Sequence, residues 1–136
     1  MADKFTPEER SRIMSRVRNR DTKPEKVIRS LLHAVGYRFR LHRRDLPGNP
    51  DIVLPKYKKV VFVHGCFWHG HSGCPRAARP TSNVEFWNKK IDANIARDAA
   101  ARNGLAALGW KPLVVWQCEI RSLAALTDKL EQFLKS

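Results

Sequence analysis

With 136 residues and 43% hydrophobic side chains, the chain is long enough for one domain with a hydrophobic core and too apolar for a disordered protein. Its 26 basic and 13 acidic residues give a formal charge of +13, which favours a polyanionic partner, either nucleic acid or an anionic membrane surface. The longest apolar runs are strand-sized, far below the roughly 18 residues of a membrane-spanning helix. With no apolar signal segment, we expect a cytoplasmic protein outside the membrane, its three cysteines reduced or bound to metal.

Two capping boxes each predict the start of a helix near the N-terminus. The first, at residues 6–9, opens a short helix to about Arg18 with arginines around a thin apolar stripe of Ile13, Met14 and Val17. Its basic faces indicate docking on something other than the protein's own core. The second, at residues 22–25, opens an amphipathic helix that ends at Gly36.

Four short apolar or alternating runs predict strands, at residues 37–41, 51–54, 60–63 and 111–116. The third is wholly apolar, which is typical of a central strand. A long helix from about Val84 to Leu108 and a helix over 123–134 complete the order α, α, β, β, β, α, β, α. This order predicts an α/β fold with a mixed central sheet flanked by helices.

A cysteine- and histidine-rich loop follows the third strand. Cys66, His71 and Cys74 supply three candidate metal ligands within nine residues, and Cys118 lies just beyond the fourth strand. If the third and fourth strands are neighbours, all four side chains reach one end of the sheet and form a closed structural zinc site. Spacing alone leaves His69 open as the ligand in place of His71, and three unrelated thiols are the alternative.

Two acidic residues and two histidines are candidates for chemistry. Asp51 begins a strand after a turn and could bind a hard divalent cation, or it could simply bond nearby backbone groups. Glu25 already has a structural role in the capping box, and it would have a second, chemical role only if the fold placed it near Asp51. His64 and His69 lie outside the zinc set, which leaves them available as a general base or a phosphate clamp, or as packed neutral side chains.

Two pairs of adjacent aromatic residues, Phe67-Trp68 and Phe86-Trp87, cannot easily bury both of their members. In so basic a chain, exposed rings favour stacking on bases or wedging between base pairs. Ordinary core packing and cover for the zinc site are the alternative.

The run VVFVHGCFWHGH at residues 60–71, with Pro50-Asp51 before it, resembles the very-short-patch repair endonucleases, the Vsr type. The likeness extends from about Ser11 to Glu119, and its other matches fall in register on both sides. They include Asp21-Thr22, Glu25, the turn at residues 46–51, Phe86-Trp87, Lys90, Asn94, Arg97-Asp98, Leu108-Gly109-Trp110 and the segment 114–118.

The resemblance implies a restriction-endonuclease-like PD-(D/E)xK core and one nuclease domain over residues 1–136. Residues 1–20 would be a basic helix that contacts DNA, and 21–136 the endonuclease core. The implied reaction is a magnesium-dependent nick on the 5′ side of the thymine of a T·G mismatch in double-stranded DNA, made by a monomer at the bacterial nucleoid. The rival functions are a restriction-like nuclease on matched duplex and a non-catalytic, zinc-dependent DNA-binding module.

The resemblance also implies the site residues. Asp51 and the backbone carbonyl of Val63 would bind Mg²⁺, and Glu25 would hold metal-bound water from the outer shell. His69 would be the base, oriented by Asp98, and His64 would contact the scissile phosphate. The implied zinc ligands are Cys66, His71, Cys74 and Cys118. The implied DNA contacts are a wedge of Phe67, Trp68 and Trp87 from the major groove, Met14 with Val17 from the minor groove, and the mismatch readers Lys90 and Asn94.

Overall fold

The computed structural model describes residues 22–136. The helix expected over about 6–18, with Met14 and Val17, lies outside the described residues. The described helices are α1 (Lys23–Ala34), α2 (Val84–Ala107) and α3 (Leu123–Lys135), and the strands are β1 (Arg40–Leu41), β2 (Ile52–Leu54), β3 (Lys59–His64) and β4 (Lys111–Trp116). Among these helices, none combines the length and the apolar character that crossing a membrane requires.

The four strands form one mixed sheet in the order β1-β2-β3-β4. The β1–β2 and β2–β3 pairs are antiparallel, and β3 and β4 are parallel, with His64 opposite Trp116. The internal place predicted for β3 is confirmed, as is its pairing with β4. The residues that follow β3 and β4 therefore leave the sheet at the same end.

The first strand is shorter than its alternating pattern predicts, and the expectation is wrong for residues 37–39. Tyr37 and Phe39 instead pack, partly buried, against the core. The strand ends at Leu41, because the next residue, His42, has a left-handed φ of 52° and does not continue an extended backbone. The His42 N–H still donates to the Asp51 carbonyl at 3.2 Å, which ties the two segments together.

Helices cover both faces of the sheet, and each face has its own apolar cluster. One cluster joins α1 and α3 to the sheet through Ile28, Leu32, Ile52, Leu54, Val61, Val115, Leu126, Leu130 and Leu134. The other cluster joins α2 and the turn before β2 to the opposite face of the sheet, through Leu46, Val53, Val60, Phe62 and Leu105. The predicted mixed α/β sheet flanked by helices is confirmed; its likeness to restriction endonucleases stays a prediction.

Thr22 is the N-cap of α1 as predicted, with the Glu25 N–H donating to the Thr22 hydroxyl at 3.4 Å. Helix α2 begins at Val84 as predicted, with Leu108 as its C-cap and Gly109 at φ 85°. Lys59 lies one residue before the predicted third strand at residues 60–63. It belongs to β3, is only 4% exposed, and its ammonium donates to the carbonyls of Phe133, Leu134 and Ser136, which caps α3.

Candidate active site and metal centres

A cavity of about 420 Å³ opens between the end of β3 and the side of α2. Its wall includes Asp51, Val63, His64, His69 and Asp98, which the resemblance names as catalytic or magnesium-binding residues. Glu25 lies behind the Asp51 side of this cavity, 2% exposed. The fold thus brings residues from α1, β2, β3 and α2 to one place.

His69 and Asp98 form a close polar contact in this cavity. The Nδ1 of His69 lies 2.7 Å from the Oδ2 of Asp98, and the His64 ring stacks on the His69 ring with centroids 3.8 Å apart. A carboxylate at Nδ1 fixes the imidazole orientation and leaves Nε2 facing away from it. The arrangement suits an imidazole that accepts a proton from water.

His64 is buried and lacks a hydrogen bond at Nδ1 among the described residues, although Asp98 Oδ2 is 4.0 Å away. Burial, together with the charges of His69 and Arg102, lowers the pKa of His64 to about 4. The ring is therefore neutral at pH 7. A neutral imidazole can donate a hydrogen bond, and the contact of His64 with a phosphate stays a prediction.

Asp51 lies beside a backbone N–H and two further candidate metal ligands. Its Oδ2 accepts a hydrogen bond from the Val63 N–H at 2.7 Å, and candidate ligand atoms of Asp51, Glu25 and His42 lie within 4.8 Å of one another. Burial raises the pKa of Asp51 to about 7 against the effect of the Val63 N–H, and the charge of Glu25 adds to the rise. Two carboxylates that lie this close together are suited to a divalent cation such as Mg²⁺, whose charge would offset their mutual repulsion.

His42 was not anticipated from the sequence. Its Nε2 lies 3.6 Å from Glu25 Oε2 and 3.1 Å from an Arg29 amino group, which itself donates to Glu25 at 2.8 Å. In the sequence His42 only precedes two arginines, and no spacing relates it to Glu25. Pairing of β1 with β2 brings it beside Asp51.

The zinc candidates converge at the same end of the sheet, beyond β3 and β4. Ligand atoms of Cys66, His71, Cys74 and Cys118 all lie within 4.8 Å of one another, and Cys118 Sγ is 3.5 Å from His71 Nδ1. Sulfur atoms around a tetrahedral zinc with Zn–S bonds of about 2.3 Å would be about 3.8 Å apart, so the set fits zinc. The structure brings His71 to the three thiols, while His69 bonds to Asp98.

The aromatic residues form one cluster at the side of the loop. Phe67, Trp68 and Phe86 each pack within 6 Å of the Trp87 ring. Trp87 is 1% exposed whereas Phe86 is 45% exposed. In this conformation Trp87 lies beneath the other rings and supports them, and its insertion into DNA stays a prediction.

Lys90 and Asn94 lie beside this cluster, one turn apart on α2. The Lys90 ammonium is 5.0 Å from the Trp68 ring centroid and 5.7 Å from that of Phe86. The Asn94 amide donates to the Trp68 carbonyl at 3.0 Å and accepts from Arg97. Lys90 therefore contacts two of the aromatic rings, whereas Asn94 bonds to the backbone of the loop that carries Trp68.

Comparison with known proteins agrees with the motif. Residues 2–75 match the family model described as DNA mismatch endonuclease Vsr. The chain is 54% identical over 134 residues to the type II nicking enzyme V.XorIIP of Xanthomonas oryzae pv. oryzae, covering 98% of each chain. It is 43% identical over 129 residues to the DNA mismatch endonuclease Vsr of Escherichia coli, covering 95% of this chain and 82% of that protein. The chain therefore belongs to the Vsr family of DNA mismatch endonucleases.

Proposed function

We propose that this DNA endonuclease nicks double-stranded DNA on the 5′ side of the thymine of a T·G mismatch, in a magnesium-dependent hydrolysis. The observation that carries the proposal is the His69–Asp98 pair, 2.7 Å apart, in the cavity that Asp51 also lines. A fixed imidazole beside a cation site is the pairing that phosphodiester hydrolysis by water requires.

The protein's own side chains activate the attacking water and bind the phosphate. His69 takes a proton from the attacking water at Nε2, while Asp98 holds Nδ1–H and so fixes the tautomer. The buried, neutral His64 donates a hydrogen bond to the scissile phosphate. The two imidazole rings are stacked with their centroids 3.8 Å apart, which supports a shared role at one phosphate group.

Asp51 and the Val63 backbone carbonyl would hold Mg²⁺, with Glu25 binding water in its outer shell. The ion, when bound, stabilises the negative charge that develops on the phosphate. Asp51 is kept in place by the Val63 N–H, and Glu25 by the Arg29 guanidinium. Burial disfavours the charged form of Asp51 and raises its pKa, and a bound cation would offset that cost, which supports the proposed metal site.

Recognition would use the aromatic cluster. Phe67 and Trp68 enter the duplex from the major groove over Trp87, while Lys90 and Asn94 contact the mismatched bases; Met14 and Val17 would act from the minor groove. Separating stacked bases costs a few kcal/mol and least at a mismatch, which gives selectivity. One active site suffices for one strand, so we propose a monomer in the cytoplasm, near the nucleoid. A closed zinc site of Cys66, His71, Cys74 and Cys118 would hold the loop that carries these rings.

The test is cleavage of a strand-labelled duplex with one T·G mismatch, beside its T·A counterpart, with and without Mg²⁺. Asp51→Asn should bind the T·G duplex and not cut it, whereas Asp128→Asn, an exposed aspartate on α3, should cut normally. Equal cutting of both duplexes would contradict mismatch specificity and favour a restriction-like nuclease. Tight binding without cutting by the unaltered protein would favour the non-catalytic module.

A further inference from the structure

One face of α2 forms a wall of the catalytic cavity. Asn94, Arg97, Asp98, Ala101 and Arg102 line it at intervals of three and four residues, the spacing of a single helical face. Arg102 stands one turn after Asp98, and none of the motifs in the sequence assigns it a role. The wall therefore places a second arginine beside the groups that surround the reacting phosphate.

Arg102 differs from the neighbouring arginines in its partners. Arg97 is held by Asn94, and Arg29 by Glu25. Within residues 22–136, the half-buried Arg102 guanidinium has no hydrogen bond or ion pair, although Asp98 lies four residues before it. The Asp98 carboxylate is turned to His69 instead.

The charge of Arg102 reaches the catalytic groups. It is one of the charges that lower the pKa of His64, which places the guanidinium within electrostatic range of that ring. A planar guanidinium with five donors suits phosphate oxygens and can bind two of them at once. Because no carboxylate of the described residues neutralises Arg102, its guanidinium is available to bind a phosphate in this cavity.

We propose that Arg102 is a phosphate-binding residue of this site, whose guanidinium binds a non-bridging oxygen of the scissile phosphodiester from the α2 side of the cavity. This inference rests on the proposed function. Asp51 and its cation would approach the same phosphate from the sheet side, so the phosphate would be held from two directions. The Arg102 contact would strengthen as negative charge develops during attack by water.

The test compares Arg102→Met and Arg102→Lys with Lys135→Met. This control removes the charge of an exposed lysine at the end of α3, on the opposite face of the sheet. With the T·G duplex, Arg102→Met should lower the single-turnover nicking rate about 100-fold. It should also reduce the slope of log Kd against log salt by about 0.9. Arg102→Lys should recover the slope but only part of the rate, and Lys135→Met should leave the rate unchanged.

A second duplex makes the test specific to one phosphate. A neutral methylphosphonate replaces the phosphate at the mapped nick, and binding is measured with Ca²⁺ in place of Mg²⁺. The unaltered protein and Arg102→Met should then bind equally, because the partner of Arg102 has lost its charge. Melting temperatures within about 2 °C of each other would show that the variants are folded. If Arg102→Met does not fold, Arg102→Lys is compared with the unaltered protein instead.

The inference is overturned if Arg102→Met nicks at the normal rate. It is also overturned if Arg102→Met weakens binding of the methylphosphonate and normal duplexes by the same factor, because Arg102 would then act elsewhere. Failure of the proposed function is a separate result, in which the unaltered protein does not nick the T·G duplex, and it would overturn both.

Discussion

The Nδ1 of His69 lies 2.7 Å from the Oδ2 of Asp98, although the two residues are 29 positions apart in the chain. His69 belongs to the loop after β3, and Asp98 to the middle of α2. The same carboxylate oxygen is 4.0 Å from His64 Nδ1, so one side chain faces both imidazoles. Asp98 therefore fixes the orientation of the His69 ring, on which the His64 ring stacks.

Replacing Asp98 with asparagine should slow nicking without weakening DNA binding. The amide keeps the size of the side chain but can hold the wrong imidazole tautomer, so we expect a loss of about 100-fold or more in single-turnover rate. The Kd for a T·G duplex should change little. Asp128→Asn is the control, and a normal rate in Asp98→Asn would contradict the role of His69 as an oriented base.

Asp51 should make the stability of the magnesium-free protein depend on pH. Its pKa is raised to about 7 in the folded protein, so the folded state binds the proton more tightly than the unfolded chain between pH 4 and 7. The contribution of Asp51 to the free energy of unfolding is therefore fully present below about pH 4 and is lost as pH rises through 7. Asp51→Asn lacks this titration and can still accept the Val63 N–H.

The free energy of unfolding of Asp51→Asn, relative to that of the unaltered protein, should consequently rise by about 3 kcal/mol from pH 4 to pH 8. Urea unfolding at both pH values measures this difference, in buffer free of magnesium and of chelators that would remove zinc. Added Mg²⁺ should stabilise the unaltered protein more than the variant. A difference that is equal at both pH values would contradict the raised pKa.

Replacing Cys118 with serine should release zinc and destabilise the protein. Cys118 is the one candidate ligand outside the loop, so its loss disconnects residues 66–74 from the end of β4. We expect about one zinc per chain in the unaltered protein, little in the variant, and a loss of more than about 4 kcal/mol in unfolding free energy.

Metal analysis and denaturant unfolding measure both effects of Cys118→Ser. His33→Gln, an exposed histidine on α1, should keep the metal. Unaltered protein purified without chelators and found to hold no zinc would disprove the site.

Replacement by alanine should destabilise the protein by different amounts at two glycines that have a left-handed backbone, Gly36 and Gly48. A Cβ at Gly48 would lie 2.6 Å from the Ala101 Cβ on the cavity wall, whereas a Cβ at Gly36 would meet nothing within 4 Å. Gly36→Ala should cost about 1 kcal/mol for backbone strain. Gly48→Ala should cost about 2 kcal/mol more, because the turn would have to move away from α2.

Gly48→Ala should also slow nicking, since Gly48 and Ala101 both line the cavity. Parallel melting curves and nicking rates of the two variants separate strain from contact. Equal losses of stability would show that the close approach of the turn to α2 has no energetic effect.

Local signals in the sequence determined much of this protein. The capping box of α1, the apolar run of β3 and the helical spacing of α2 each rest on neighbouring residues, so the elements could be placed from the chain alone. The Cys-His spacing likewise indicated zinc, because ligands that are close in sequence are close in space whatever the fold. The family motif is of the same kind, a contiguous run of residues.

The tertiary structure alone decided which distant side chains meet. The parallel pairing of β3 with β4 brings Cys118 to His71, and the packing of α2 brings Asp98 to His69 and turns Trp87 inward while Phe86 stays exposed. The left-handed turn at His42 places its ring beside Glu25. Such contacts depend on strand register and on the rotation of a helix about its axis. These are set by burial of apolar surface over the whole domain, and no short stretch of sequence encodes them.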